Sequence, residues 1–285
     1  MASSRAVRVT LIVNPYASGV SEERVHAIER RLEVVETRLT ESRGHATQLA
    51  AAAAGDAVFA FGGDGLVNEV LNGLPSGKAL GVVAGGHTNV FARAVGVPRD
   101  PVAATRRRRI SLGRVNGRRF GFAAGIGVDS EAVRELETIQ RRSEGRRPGD
   151  LAYAWVIARR LLRGYEPRLE LEGFGRAALL FVSNDAVFSY AGRLPLRFSP
   201  QARFELGLDV TAPERGDRGT ALRLAARIAA GRGIAGAPGV LAAHDLDRVV
   251  VRCDSPLPLQ ADGEDLGDVT EAIFEAERDA ISVLV

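Results

Sequence analysis

Phe59-Ala60-Phe61-Gly62-Gly63-Asp64-Gly65-Leu66-Val67-Asn68-Glu69-Val70 is the stretch on which the reading of this chain turns. The apolar run from Ala57 to Phe61 predicts a buried strand. It stops at three glycines wrapped around one carboxylate. Val67, Val70, Leu71 and Leu74 then recur at the spacing of one buried helical face. Strand, glycine turn and helix together aim main-chain N–H groups and a helix N-terminus at an anion. The glycines permit positive φ and put no Cβ in a ligand's way. The same residues also read as a tight strand-to-helix turn with an aspartate cap. Asp64 sharpens the first reading, because a carboxylate repels a phosphate unless a cation bridges them. The anion then becomes a magnesium-bound nucleotide.

Outward from this stretch, strands and helices alternate. Val7 to Val13 is a nearly continuous β-branched run, as expected of a strand buried on both faces. It ends in the turn cluster Asn14-Pro15-Tyr16-Ala17-Ser18-Gly19. Ser21, followed by Glu22 and Glu23, opens a helix on which Val25, Ile28 and Leu32 share a face. A strand over Val34 to Leu39 leads to Thr40, and an alanine-rich helix follows Gly44-His45-Ala46 up to Ala54. Beyond the central stretch, a strand over Ala79 to Val83 runs into Ala84-Gly85-Gly86-His87-Thr88-Asn89 and another helix. Asp100-Pro101 reads as an N-cap with proline at the first helical position. Repeated βα units imply a parallel sheet with helices on both faces. Ligands of such sheets bind beyond the carboxyl ends of the strands. Asn14, Thr40, Gly62 to Gly65 and Gly86 to Asn89 all fall at such ends, which favours a nucleotide site over simple turns.

Past about Ile110 the rhythm changes to short strands. Ile110 to Val115 and Arg118 to Ala123 flank Asn116-Gly117, a type I′ hairpin signal. Helices are expected over Val128 to Thr138 and Leu151 to Arg163, with a charged loop from Arg141 to Gly149 between them. Strands follow at Pro167 to Glu172, Arg176 to Ser183, Phe204 to Val210 and Arg248 to Cys253, and a helix at Arg218 to Ala230. The end of the chain reads as hairpin strands around Asp262-Gly263 and a last strand at Ile281 to Val285. The fold expected is an α/β nucleotide-binding domain with a parallel sheet over residues 1–112, followed by a β-rich, sandwich-like domain over 113–279.

Composition bounds the rest. A chain of 285 residues, 46% hydrophobic and 26% charged, can fill a real core. No apolar run approaches the roughly 18 residues of a membrane span, and Asp56 interrupts the longest, Leu49 to Phe61. The N-terminus carries no signal-peptide pattern, and Cys253 is the single cysteine, so a soluble protein of a reducing compartment is expected. Lys78 is the single lysine and no G-K-[ST] occurs, which leaves Schiff-base and P-loop mechanisms almost without a candidate.

Asn14-Pro15, Gly62-Gly63-Asp64-Gly65 with Asn68-Glu69, Asn89-x-Phe91-Ala92-Arg93 and Asp262-Gly263-Glu264 stand in this order along nearly the whole chain. Together they resemble the diacylglycerol kinase catalytic family, the bacterial lipid kinases and their sphingosine kinase relatives. The resemblance implies an ATP-dependent transfer of the γ-phosphate to a hydroxyl of diacylglycerol or a similar amphipathic lipid. It also implies an active site in the cleft between the domains and a last strand, 280–285, that returns to the first. ATP and Mg²⁺ are the implied cofactors. The phosphates would lie against Gly63, Asp64 and Gly65, with Asn14, Thr40, Gly62, Asn68, Glu69, His87, Thr88 and Asn89 around the nucleotide. Glu264 would accept the hydroxyl proton, Asp262 would support it, and Asp64 would couple to magnesium through the nucleotide.

The chain departs from the family's pattern at three places. Leu66 stands where threonine is usual, and cannot hydrogen-bond a phosphate. Gly86-His87 replaces Gly-Thr, with Val90 for an aspartate. Leu206-Gly207 replaces an Asp-Gly whose aspartate, in relatives, helps hold a structural Mg²⁺. His87 reads equally as a phosphate donor and as a capping or packing residue. Sphingoid-base kinase, NAD kinase and a non-catalytic lipid-binding relative are the competing functions. Arg106 to Arg109, Arg141, Arg142, Arg146, Arg147, Arg159, Arg160 and Arg163 read either as solvated surface or as a face for anionic lipid headgroups. A cytoplasmic enzyme, peripheral at the inner membrane surface, would use them so, and a homodimer is left open. Within none of these arginine runs do aromatic residues interleave the charges as nucleic-acid binding would ask.

Overall fold

The computed structural model describes residues 7–104, 106–142, 156, 159–160, 164–192 and 194–285. The chain divides into two compact units, Met1–Ser111 with Asp279–Val285, and Leu112–Arg278.

In the first unit, β1 (Arg8–Val13), α1 (Glu22–Glu29), β2 (Glu33–Leu39), α2 (His45–Ala51), β3 (Ala57–Gly62), α3 (Asp64–Gly73), β4 (Ala79–Ala84) and α4 (Val90–Val95) alternate. The strands pair in the order β2, β1, β3, β4, all parallel. The runs of β1, β3 and β4 are buried almost throughout and carry little polar alternation, as befits strands covered on both faces. Val9, Leu11, Val13, Phe59, Phe61 and Val83 pack with Ile28 of α1 into one core. Ser21 caps α1 by accepting the Arg24 amide at 3.3 Å. Asp100-Pro101 opens a short 3₁₀ turn, Pro101–Ala103.

A long strand, β5 (Arg107–Val115), leads from the first unit into the second, which is antiparallel and β-rich. The second unit holds β6 (Arg118–Phe120), β7 (Ala123–Ile126), α5 (Val128–Arg142), β8 (Leu169–Leu171), β9 (Gly175–Ala177), β10 (Leu180–Ser183), β11 (Val187–Ala191), β12 (Leu194–Arg197), β13 (Leu208–Pro213), α6 (Arg218–Ala229), β14 (Val240–Leu246) and β15 (Arg248–Ala261). The last strand, β16 (Glu264–Leu284), runs through both units. Neighbours pair in the order β14, β13, β10, β7, β15, β16. Phe120, Ile126, Leu180, Val210, Val251 and Phe274 fill the core between them. In the first unit, the end of β16 pairs parallel with β4, Ser282 against Ala79 and Val283 against Leu80. Asn116 and Gly117, at φ 47° and 86°, turn the β5–β6 hairpin as their sequence predicts.

Several expected elements differ. Arg176 to Ser183 is not one strand: it breaks at Ala178 and Leu179, whose amides both donate to the Pro213 carbonyl. Phe204 to Leu206 forms a turn, closed by the Leu206 amide on the Arg203 carbonyl, and β13 starts only at Leu208. The β11–β12 hairpin and β14 have no counterpart in the sequence reading. β14 is an edge strand with alanine, histidine and aspartate in its middle, so its alternation is weak. α5 runs through Arg142, and the rest of the expected loop to Gly149 lies outside the described residues. So does nearly all of the helix expected over Leu151 to Arg163.

Candidate active site

Three turns meet at the carboxyl ends of the parallel strands. The Asn14 amide donates to the Phe61 carbonyl at 3.0 Å, the Gly85 amide to the Gly62 carbonyl at 2.8 Å, and the Gly19 amide to the Gly85 carbonyl at 2.8 Å. The glycines serve this close approach. A Cβ on Gly86 would stand 2.5 Å from the Gly63 Cα, and one on Gly62 would stand 2.7 Å from Leu66 Cδ2. None of Gly62, Gly63, Gly65, Gly85 and Gly86 adopts positive φ, so the conformational reason expected for them does not apply. What results is a surface made of main chain, which is the surface an anion needs.

Asp64 starts α3, and its carboxylate accepts the amides of Val90 at 2.9 Å and Phe91 at 3.0 Å, the first turn of α4. The cap reading of Asp64 is therefore realised, but on the neighbouring helix. Asn89, at φ 49°, locks the same turn by accepting the Gly86 amide at 2.9 Å and donating to the Gly86 carbonyl at 2.7 Å. Five residues along α3, Glu69 does for α2 what Asp64 does for α4. Its two carboxylate oxygens accept the amides of Gly44 and Ala46 at 2.8 and 3.1 Å. Glu69 is buried, and so is Asn68, whose main-chain carbonyl accepts from the Asn72 side chain at 2.9 Å. Both are part of the scaffold rather than of an open wall. Asn14, Gly63, Asp64, Gly65, Gly86, Thr88 and Asn89 are half-buried at the strand ends, His87 is exposed, and Thr40 is buried with its amide on the Val13 carbonyl.

Arg24 of α1 was not anticipated. Its guanidinium lies 4.8 Å from the centre of the Phe61 ring and donates to the carbonyls of Gly19 and Ala84, tying two of the turns together. The sequence signal was only an arginine one turn into the helix after Asn14-Pro15.

In the second unit, Asp262 and Gly263 turn the β15–β16 hairpin at φ 50° and 78°. Asp262 is 6% exposed, and its carboxylate accepts three consecutive amides, Gly121 at 2.6, Phe122 at 3.0 and Ala123 at 3.2 Å. This holds the turn in one place. Glu264, at the start of β16, accepts from Arg118 at 2.6 Å. Behind the turn, Gln260 accepts the Gly263 amide at 3.0 Å and donates to Asp129 at 2.9 Å. Burial pushes the Asp129 carboxyl up to about 6, against the opposing pull of Gln260 and Ser130. Asp129, Gln260 and Arg118 were missed. Gly125-x-Gly127 ahead of an aspartate at the start of a helix was the available hint.

Among the described residues, no three His, Cys, Asp or Glu side chains gather into a group that could hold a metal ion. Both Asp64 oxygens already accept main-chain hydrogens. The described residues do not build a protein-held magnesium site.

Residues 8–115 match the family model described as the diacylglycerol kinase catalytic domain. The chain is 31% identical over 147 residues to a presumed lipid kinase of Streptococcus pneumoniae serotype 4, covering 46% of this chain and 50% of that one. It is 41% identical over 102 residues to a diacylglycerol kinase of Bacillus subtilis strain 168, covering 32% and 34%. The chain thus spans half or less of the length of these curated relatives. A solved structure of a presumed diacylglycerol kinase from Bacillus anthracis str. Sterne matches with a TM-score of 0.74 at 21% identity, covering 99% of this chain and 98% of that one. At that identity the likeness is one of fold.

Proposed function

We propose that this protein transfers the γ-phosphate of MgATP to a hydroxyl of an amphipathic lipid, diacylglycerol first. The observation that carries this is the main-chain surface formed where Gly62 and Gly63 pack on Gly85 and Gly86, with α4 tied to it by Asp64. A glycine-lined turn at a helix N-terminus suits a phosphate chain. Arg24 offsets the carbonyl dipoles of Gly19 and Ala84, which would otherwise repel it. Glu264 is the proposed base, its carboxylate held 2.6 Å from the Arg118 guanidinium. Asp262, with its oxygens committed to three amides, is a positioning residue. In the step itself the lipid oxygen bonds to the γ-phosphorus as the bond to the bridging oxygen breaks. ADP leaves, and the hydroxyl proton passes to Glu264.

The lipid reaches such an enzyme at a bilayer surface, so peripheral attachment through exposed arginines forms part of the proposal. Not every arginine is available for it. Arg159 and Arg160 are held by Glu135 at 2.5 and 2.7 Å, and Arg108 donates to the Val95 carbonyl at 2.8 Å. The side chains of Arg141, Arg142, Arg146, Arg147 and Arg163 lie outside the described residues. No described helix is long and apolar enough to cross a membrane. The deciding experiment is transfer from radiolabelled ATP to a panel of diacylglycerol, other hydroxylated lipids, sphingosine and NAD. Label on a glycerolipid supports the proposal. Label on sphingosine or NAD alone moves the acceptor to those classes, and label on nothing favours a non-catalytic lipid-binding relative.

A further inference from the structure

Where β13 begins and β14 turns into β15, one hydrogen-bonded group links three carboxylates: Asp209, Asp245 and Asp247. Asp209 is 3% exposed and accepts from His244 Nδ1 at 2.6 Å and from the Asp245 amide at 3.2 Å. Asp245, at φ 58°, accepts the Gly207 amide at 2.7 Å. Arg278 closes the group. Its guanidinium lies 2.9 Å from Asp245 Oδ1 and 2.6 Å from Asp247 Oδ1, and donates to the Asp245 carbonyl at 3.4 Å. It also presses on the main chain of Gly207, where an added Cβ would meet Arg278 Nη2 at 2.8 Å.

The Asp245 and Asp247 carboxylates face the guanidinium, Asp209 faces His244, and the three are not gathered around one point as the ligands of a metal would be. This is also the place where Leu206-Gly207 stands for the Asp-Gly that the family resemblance links to a structural magnesium. Leu206 brings no oxygen ligand, and a guanidinium occupies the space against Gly207. Hard divalent cations take six or more oxygen ligands and leave no room for an N–H donor among them. A guanidinium instead presents its donors in a fixed fork that suits two carboxylates and one carbonyl at once.

We propose that Arg278 is a built-in replacement for a structural metal, and that this corner of the second unit is stable without any divalent ion. The inference does not depend on the reaction the protein performs. It predicts that removing the guanidinium leaves room for a divalent cation, because Asp245 and Asp247 lose their counter-charge.

The test is thermal unfolding of the full chain without nucleotide, in EDTA and in millimolar magnesium or calcium chloride, for the wild type, Arg278→Met and Arg278→Lys. The wild type should unfold at the same temperature in all three solutions. Arg278→Met should unfold lower by at least about 2–4 °C in EDTA and recover part of the loss with divalent ion. Arg278→Lys, which keeps the charge but not the fork, should fall between them. A wild-type midpoint that rises saturably with magnesium, and no longer does so in Asp247→Asn, overturns the proposal. So does an Arg278→Met protein with an unchanged midpoint. Should Arg278→Met fail to fold, manganese binding to the wild type decides: stoichiometric binding lost in Asp247→Asn refutes the replacement, and its absence supports it.

Discussion

The carboxylate of Asp64 accepts the main-chain amide of Phe91 at 3.0 Å, so the first turn of α3 holds the first turn of α4 across 27 residues of chain. Its other oxygen takes the Val90 amide. An aspartate in the glycine turn that opens one helix thus fixes the N-terminus of the next.

Asp64→Asn keeps one acceptor and turns an NH₂ group toward an amide that also donates. The expected cost is about 1–3 kcal/mol of stability, together with loss of phosphoryl transfer. Chemical unfolding and turnover on the same protein check both. Full activity at normal stability would remove the coupling of the two helices from the mechanism.

The glycines can be separated by substitution. Gly86→Ala would place a methyl group 2.5 Å from the Gly63 Cα, a main-chain atom that cannot swing aside, and should destabilise by about 1–3 kcal/mol. Gly63→Ala meets nothing nearer than 3.3 Å, the Gly86 Cα, and should cost clearly less. Both should weaken ATP binding, because each adds a side chain to the main-chain surface. Calorimetric titration with ATP that finds Gly63→Ala unimpaired would place the phosphates elsewhere.

Glu264→Gln preserves shape and an acceptor for Arg118 but removes proton affinity. Turnover should fall about 10²- to 10⁴-fold, roughly 3–5 kcal/mol at the transition state, with ATP affinity nearly unchanged. Normal turnover in this variant would sink the assignment of the base.

Asp129 makes stability depend on pH in a stated direction. Its folded-state carboxyl titrates at about 6 instead of 3.8, because burial penalises the charge. On raising the pH the unfolded chain therefore ionises first, and stability is lost between about pH 4 and pH 6. The full cost, on the order of 3 kcal/mol, is in place above that window. Asp129→Asn carries no such charge, so its stability relative to wild type should improve by about that amount from pH 4 to pH 7. Urea unfolding across this range would contradict the raised value if the difference between the two proteins stays constant.

Attachment to vesicles should increase with their anionic lipid content and weaken with salt, since exposed charges are screened within about 10 Å at 0.1 M. Co-sedimentation with phosphatidylglycerol-containing and neutral vesicles measures it. Binding that ignores salt would point to apolar insertion in place of arginine attraction.

Much of the architecture was legible in local pattern. The unbroken apolar runs of β1, β3 and β4, the helical spacing of Val67, Val70 and Leu71, and the turns Asn116-Gly117 and Asp262-Gly263 each depend on neighbours within a few residues. The edge strand β14 escaped because a strand with one covered side and an alanine-rich middle carries little periodic signal. The site residues were legible as types and positions. Their tasks were not: Glu69, expected around a nucleotide, caps α2, and Asp64 caps α4.

The sequence by itself determined the alternating α/β first part, the β-rich second part and the strand ends at which polar and glycine residues collect. Only the tertiary structure decided what each carboxylate binds. Asp262 takes amides about 140 residues away, Gln260 reaches Asp129 across 131, and Arg278 reaches Asp245 and Asp247 across the β15–β16 hairpin. Hydrogen-bond partners at such separations follow from strand order and register, and burial follows from what packs over a residue. Neither is a property of the residues beside it in the chain.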